Sequence, residues 1–204
     1  MLCKIDIQSI HWSICCNLAI EFKTYSIMKA IKIIIGILVG FVVIAAAYFA
    51  YALYINPKSP MGSAAYSNGD KEISVRYYRP YKKDRLIFGE AADGALVPYD
   101  TYWRLGANMT TKLTTNQDLD FAGRLLPKGS YGLYAYPYAE NWVIYVHSKT
   151  GGLSFTEPDP SGILMKVNVP VQSLEEPLEQ FTIDFVDSSL RIRWDTTKVV
   201  IPIH

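Results

Sequence analysis

Guanidinium groups and aromatic rings are concentrated in one stretch of this 204-residue chain, RPYKKDRLIFGEAADGALVPYDTYWRLGANMT at residues 79–110. Arg79, Arg85 and Arg104 each offer a planar fork that pairs with a carboxylate or phosphate through parallel hydrogen bonds. Trp103, Tyr99 and Tyr102 offer flat faces on which a sugar or apolar group stacks, and Asn108 adds an amide. This is the chemistry of holding an acidic ligand, and Arg79, Arg85, Trp103, Arg104 and Asn108 are the candidate ligand-binding residues. A structural reading stands beside it. Arg104 then stitches its loop to backbone carbonyls or to Asp100, Trp103 belongs to the core, and Gly106 and Asn108 serve a tight turn with positive φ.

Other chemistries find few groups. Residues 59–204 contain no Cys and only His147 and His204, short of the three or four ligands zinc takes, so neither a metal site nor a cofactor is expected. His147 continues the run WVIYVH on the face of Val143 and Tyr145, which reads as a core or strand-end imidazole rather than a base. There is no GxSxG elbow, no Walker loop and no GxGxxG, so no catalytic residue is assigned and nucleotide binding is unsupported. An alternative to a binding module is a hydrolase or lyase acting on envelope polysaccharide or peptide, with Tyr as acid and base and Arg neutralising a carboxylate.

The elements that carry these residues divide the chain in two. Residues 33–55, IIIGILVGFVVIAAAYFAYALYI, are 23 consecutive residues without a charge. A helix of that length spans the roughly 30 Å hydrocarbon core of a bilayer. Lys23, Lys29 and Lys32 precede the run and only Lys58 closely follows it, so the positive-inside rule places the N-terminus in the cytoplasm and the rest outside. A cleaved secretory signal, with Ala45-x-Ala47 or Ala50-x-Ala52 as the cleavage site, is the competing reading; the length of the run favours a retained anchor. Residues 1–27 hold all three cysteines and read as an upstream extension or cytoplasmic tail, with Met28-Lys29-Ala30-Ile31-Lys32 as the expected true start. The formal net charge of +1 hides +3 over residues 1–58 and −2 over 59–204, and gives no field for holding nucleic acid.

The expected organisation is therefore a transmembrane anchor at 28–56, a linker at 57–69 rich in Pro, Gly, Ser and Ala, and an extracytoplasmic domain at 70–204. In that domain the hydrophobic period is two. Ile73, Val75 and Tyr77 alternate with polar neighbours, as do Met165, Val167 and Val169 before Pro170, and Phe181, Ile183 and Phe185. Leu190, Ile192 and Trp194, then Val199, Ile201 and Ile203, complete an expected three-stranded meander with turns at Asp187-Ser188-Ser189 and Asp195-Thr196-Thr197. The pattern predicts an all-β, antiparallel β-sandwich of jelly-roll or Greek-key type, preceded by one N-terminal transmembrane helix. Its expected partners are the membrane, through the helix, and an acidic sugar, peptide or envelope component.

The order RPYKKDRLIFG, LVPYDTYWRLGAN, LPKGSYGLYAYP, NWVIYV, FTIDF and WDTTKVVIPI resembles the bacterial family known as domain of unknown function 2911, over about residues 70–204. WRLGAN after VPY is its most specific part. The resemblance implies an all-β exported domain and carries no catalytic residue with it. The chain departs from the family pattern at Asp84 and Met109, and residues 148–162 diverge.

Overall fold

The computed structural model describes residues 7–51, 58–152 and 155–204, which fall into two units, Met1–Asn56 and Pro57–His204. The first unit is a helix, α1 (Ile7–Ala50). Within it Ile31–Ala50 is long and apolar enough to cross a membrane, a length and composition shared by membrane spans and signal sequences. Ile33, Phe41 and Ile44 are 63%, 70% and 71% exposed, so the segment Ile31–Ala50 buries no apolar stripe within its own unit. Residues 52–55 of the expected span, and 56–57 beyond it, lie outside the described residues.

The second unit is all β. Eleven strands follow in order: β1 (Met61–Asn68), β2 (Lys71–Tyr78), β3 (Phe88–Gly89), β4 (Val97–Pro98), β5 (Thr111–Thr115), β6 (Leu119–Phe121), β7 (Arg124–Leu126), β8 (Gly129–Pro137), β9 (Asn141–His147), β10 (Ile163–Val186) and β11 (Ser189–Pro202). Seven form one antiparallel sheet in the order β1-β2-β5-β8-β9-β10-β11, and the pairs β3-β4 and β6-β7 lie outside it. Strand order follows chain order. The sheet is a meander that curls around its core, without a Greek-key crossover among the described strands.

Three sequence expectations change here. Residues 61–68, expected within a linker, form β1 and pair with β2 from Met61↔Tyr78 to Asn68↔Lys71. Their mostly small side chains hid the strand, and for one of them the structure gives the reason: a Cβ on Gly62 would lie 2.5 Å from Cδ of Arg79. Pro170 does not stop its strand, because β10 changes partner there, pairing with β9 through Pro170↔Asn141 and with β11 from Val171↔Val199 onward. Asp195-Thr196-Thr197 is not a turn but an irregularity inside β11, where Asp195 has φ 53° and the pairing with Leu178 sits between two register shifts. The expected three-stranded meander is thus one long bent hairpin. Its tip, Asp187-Ser188, has φ of 45° and 56°, the two positive values of a type I′ turn.

The bend brings the far half of β10 against β2, and the curl closes there. Tyr77, pointing inward from β2, donates its hydroxyl to the Ile183 carbonyl at 2.9 Å and accepts the Ile183 N–H at 2.9 Å. Burial pushes this phenol above its ordinary pKa, with the bond to Ile183 pulling back. Arg79 donates to the Phe181 carbonyl and to Oγ1 of Thr182 at 3.3 and 3.1 Å. The chain beyond β2 then runs antiparallel to β10, with Phe181 N–H on the Pro80 carbonyl and Lys82 N–H on the Glu179 carbonyl. Inside the curl, Phe88, Trp103, Trp142, Phe181 and Trp194 pack ring against ring with centroids 5.0 to 6.2 Å apart.

Tyr77→Phe keeps the packed ring and removes the hydroxyl, leaving a buried N–H and a buried C=O of Ile183 unpaired. We expect a loss of about 2–4 kcal/mol in denaturant unfolding of the full chain. A loss below about 0.5 kcal/mol would mean that the hydroxyl is not what closes the curl.

Candidate functional site

Trp103 anchors the segment that carries the candidate residues. Its N–H and C=O exchange two 2.8 Å hydrogen bonds with Ala135 of β8, and its ring enters the aromatic core, 6% exposed. Alternation past that bridge sends Arg104 outward and Leu105, fully buried, inward. The chain then doubles back through Leu105, Gly106 and Asn108 at φ 52°, 132° and 58°. Leu105 at positive φ is strained backbone, held in place by a 2.5 Å bond from the Thr111 hydroxyl to its carbonyl. Gly106 is required on two counts: its φ disfavours any Cβ, and a Cβ there would sit 2.5 Å from the Tyr78 carbonyl oxygen.

A second loop faces this one. Lys83 and Asp84 have φ of 49° and 55°, and the Arg85 N–H reaches the Lys82 carbonyl at 3.3 Å, which makes residues 82–85 a type I′ turn. The Arg85 guanidinium folds onto the carbonyls of Tyr81 and Lys82, the latter at 2.9 Å. Downstream, Leu96 N–H bonds the Leu86 carbonyl and Val97 N–H the Ile87 carbonyl, which lays the start of β4 beside the chain leading into β3.

Between the two loops lies a cleft of about 580 Å³, within the size range of small-molecule sites. Trp103, Trp194 and Val97 contribute its apolar lining, and Lys58, Lys83, Arg85 and Arg104 its charge. No lining residue is acidic. Among the described residues the ion pairs are Lys82 with Asp195 and Asp184 with Arg191 and Arg193, so none of the four cationic side-chain groups has a carboxylate within 4 Å, while the Glu179 carboxylate accepts the Lys83 backbone N–H at 3.0 Å. Arg104 makes a long 3.5 Å contact to the Asn108 carbonyl and lies 5.2 Å from the Phe155 ring centroid. Asp100, its expected acidic partner under the structural reading, instead accepts a 2.5 Å bond from Tyr138.

Of the five candidates, Arg85, Trp103, Arg104 and Asn108 meet in this cleft and Arg79 does not. Arg79 is spent on β10, as its bonds to Phe181 and Thr182 show. Sequence reasoning missed Lys58, Lys83 and Trp194. Lys58 stood out only as a charge after the apolar run, and Lys83 only as part of KKDR. Trp194 lies about 90 residues from Trp103 in the chain, and no local pattern links them.

His147 is 3% exposed and structural. Lys149 N–H donates to its Nδ1 at 2.9 Å, so the proton sits on Nε2 and is donated to the Asp159 carbonyl at 2.9 Å. The ring pins the start of residues 148–162 to their end. Beside it Tyr134 stacks on Tyr145 at 4.7 Å, its hydroxyl buried without a hydrogen-bond partner among the described residues and pushed up in pKa by that burial.

A family model described as "Protein of unknown function (DUF2911)" matches residues 59–203. The chain belongs to this family. The match begins before Met61, so β1 is part of the family domain, and it takes in both loops of the cleft from Ser59 onward. No curated protein and no solved structure matches the chain.

Gly106→Ala is expected to cost at least about 2 kcal/mol in unfolding experiments, because positive φ and the Tyr78 carbonyl both oppose a methyl group. Gly94→Ala, at φ 73° with open space around it, should cost about 1 kcal/mol. Equal costs for the two would show that the Gly106 loop is not held against β2.

Proposed function

We propose that this protein is a membrane-anchored, extracytoplasmic binding module whose cleft holds the carboxylate or phosphate of an acidic sugar, peptide or other envelope component. The supporting observation is the absence of any acidic residue from a lining that carries four cations. At an ordinary protein surface such cations are interspersed with Asp and Glu, because like charges a few ångströms apart repel by about 1 kcal/mol even in water. An anion entering the cleft relieves that repulsion and gains charge-assisted hydrogen bonds. The hydrolase or lyase alternative, with Tyr as acid and base and Arg neutralising a carboxylate, would have to use Tyr81, the one tyrosine among the described lining residues, and turnover lost in Tyr81→Phe with binding retained would favour it.

Binding is tested by calorimetric titration of the detergent-solubilised full chain with oligogalacturonate, an acidic peptide and inorganic phosphate. At least one should bind with an affinity that falls steeply with added salt, and Arg104→Gln should weaken it about tenfold or more. Unaltered binding in Arg104→Gln, with folding intact, would place the ligand elsewhere. Silence from all three anions would return the loop to a purely structural role.

The anchor rests on the exposed apolar segment Ile31–Ala50, and the orientation on Lys23, Lys29 and Lys32 preceding it. Protease added to intact spheroplasts should then remove the domain after residue 57 while leaving a membrane-bound N-terminal fragment. A domain protected until the membrane is permeabilised would reverse the orientation, and a mature protein that lacks α1 would make that segment a signal.

A further inference from the structure

The cleft that carries four cations also carries an unusual amount of exposed hydrocarbon. Tyr81 and Leu96 line it and are 36% and 41% exposed. Leu86, 46% exposed, accepts a 2.9 Å backbone hydrogen bond from Leu96 and so stands next to the lining without being part of it. Phe155, 70% exposed, has its ring centroid 5.2 Å from the Arg104 guanidinium. Trp103 and Trp194 reach the lining only by their edges, at 6% and 1% exposure. Single exposed apolar residues need no explanation, but several around one concave basic site do.

A hydrophilic anion such as inorganic phosphate or a uronate would use the cations and leave Tyr81 and Leu96 in water. We propose that the ligand is an anionic amphiphile, with a phosphate or carboxylate head held by Lys58, Lys83, Arg85 and Arg104 and an alkyl portion lying over Leu96 and Tyr81. This rests on the anionic-ligand reading above and specifies its substrate class. Charge complementarity selects the head, and the exposed apolar rim selects the tail. Arg104 stands at the junction of the two. Its planar group pairs with an oxyanion at its edge while its face rests on the Phe155 ring, an arrangement open to guanidinium and not to ammonium.

The test uses the full chain in nanodiscs of zwitterionic lipid, titrated with inorganic phosphate and with butyl, hexyl and octyl phosphate, and read by tryptophan fluorescence. Affinity should tighten by about two- to fourfold for each methylene that the cleft covers. Octyl glucoside, with the same tail and no charge, should not produce the signal. Leu96→Ser should flatten the chain-length dependence, so that octyl phosphate loses more affinity than inorganic phosphate, whereas Arg104→Gln should weaken every alkyl phosphate by a similar factor. Phosphatidylglycerol added to the disc would compete with octyl phosphate if bilayer lipid is the source of the ligand, and would leave it unaffected if the source is a soluble monomer.

Equal affinity for inorganic and octyl phosphate overturns the amphiphile while sparing the anion site. Chain-length dependence that survives intact in Leu96→Ser, or alkyl phosphate affinities that Arg104→Gln leaves unchanged, assign the signal to partition into the disc and overturn it as well. Binding of no anion at all removes the underlying anionic-ligand reading along with it.

Discussion

The free edge of β10 is the constraint on which the rest of the domain depends. Past Pro170 this strand bonds β11 on one side only, and each backbone group left unpaired in a buried setting costs on the order of 1–3 kcal/mol. A further strand is not what covers it. Two side chains and a short extended segment do: the Tyr77 hydroxyl on Ile183, the Arg79 guanidinium on Phe181 and Thr182, and the backbone of residues 80–82 on Glu179 and Phe181. This seam turns a linear meander into a closed curl. It also explains Gly62, since the Arg79 side chain occupies the space where a neighbouring Cβ would stand.

The cleft follows from the seam. Once residues 79–82 are committed to β10, the next three must leave it abruptly, and the type I′ turn through Lys83 and Asp84 does so at the cost of two non-glycine residues at positive φ. On the opposite wall, Leu105 is buried at positive φ because Trp103 is fixed to Ala135 on one side and Thr111 holds the Leu105 carbonyl on the other. Both walls therefore carry backbone strain, and both present cations without a carboxylate partner among the described residues. Arg85 is held by the Tyr81 and Lys82 carbonyls, so on its wall the charge also serves the turn. Under the proposed anion-binding reading, the strain is local to the segments that would contact the ligand.

How much of this was legible in sequence depended on the range of the signal. Period-two alternation marked Ile73, Val75 and Tyr77 in β2 and Phe181, Ile183 and Phe185 in β10, because burial on one face of a strand is a local pattern. It failed at β1, where Gly62 and Ala64 give no hydrophobic alternation and Gly62 is small to admit Arg79, a residue 17 places away. It failed again at Asp195, whose polar neighbours imitate a turn although the strand continues through an irregular pairing. Pro170 misled for a related reason: a residue without an N–H is harmless where a strand changes partners. Among the site residues, guanidinium and ring chemistry pointed to the right loops. Composition could not separate Arg79, which closes the seam, from Arg104, which faces the cleft.

Arg104 and Trp103 show how one dipeptide serves both fold and site. The 2.8 Å bonds between Trp103 and Ala135 fix the backbone, so the indole must enter the aromatic cluster and the next side chain must leave it. Arg104 could be drawn back into the structure only by a nearby acid, and Asp100, the nearest candidate in sequence, is taken by Tyr138. The guanidinium is left with one long backbone contact and the face of Phe155. A positioned charge with its strongest partners denied to it keeps most of its hydrogen-bonding capacity for whatever enters the cleft. The anchoring that makes Trp103 part of the core thus also aims Arg104 into the cleft; under the proposed reading its backbone is already ordered, and only its side-chain rotamers would be lost when a ligand arrives.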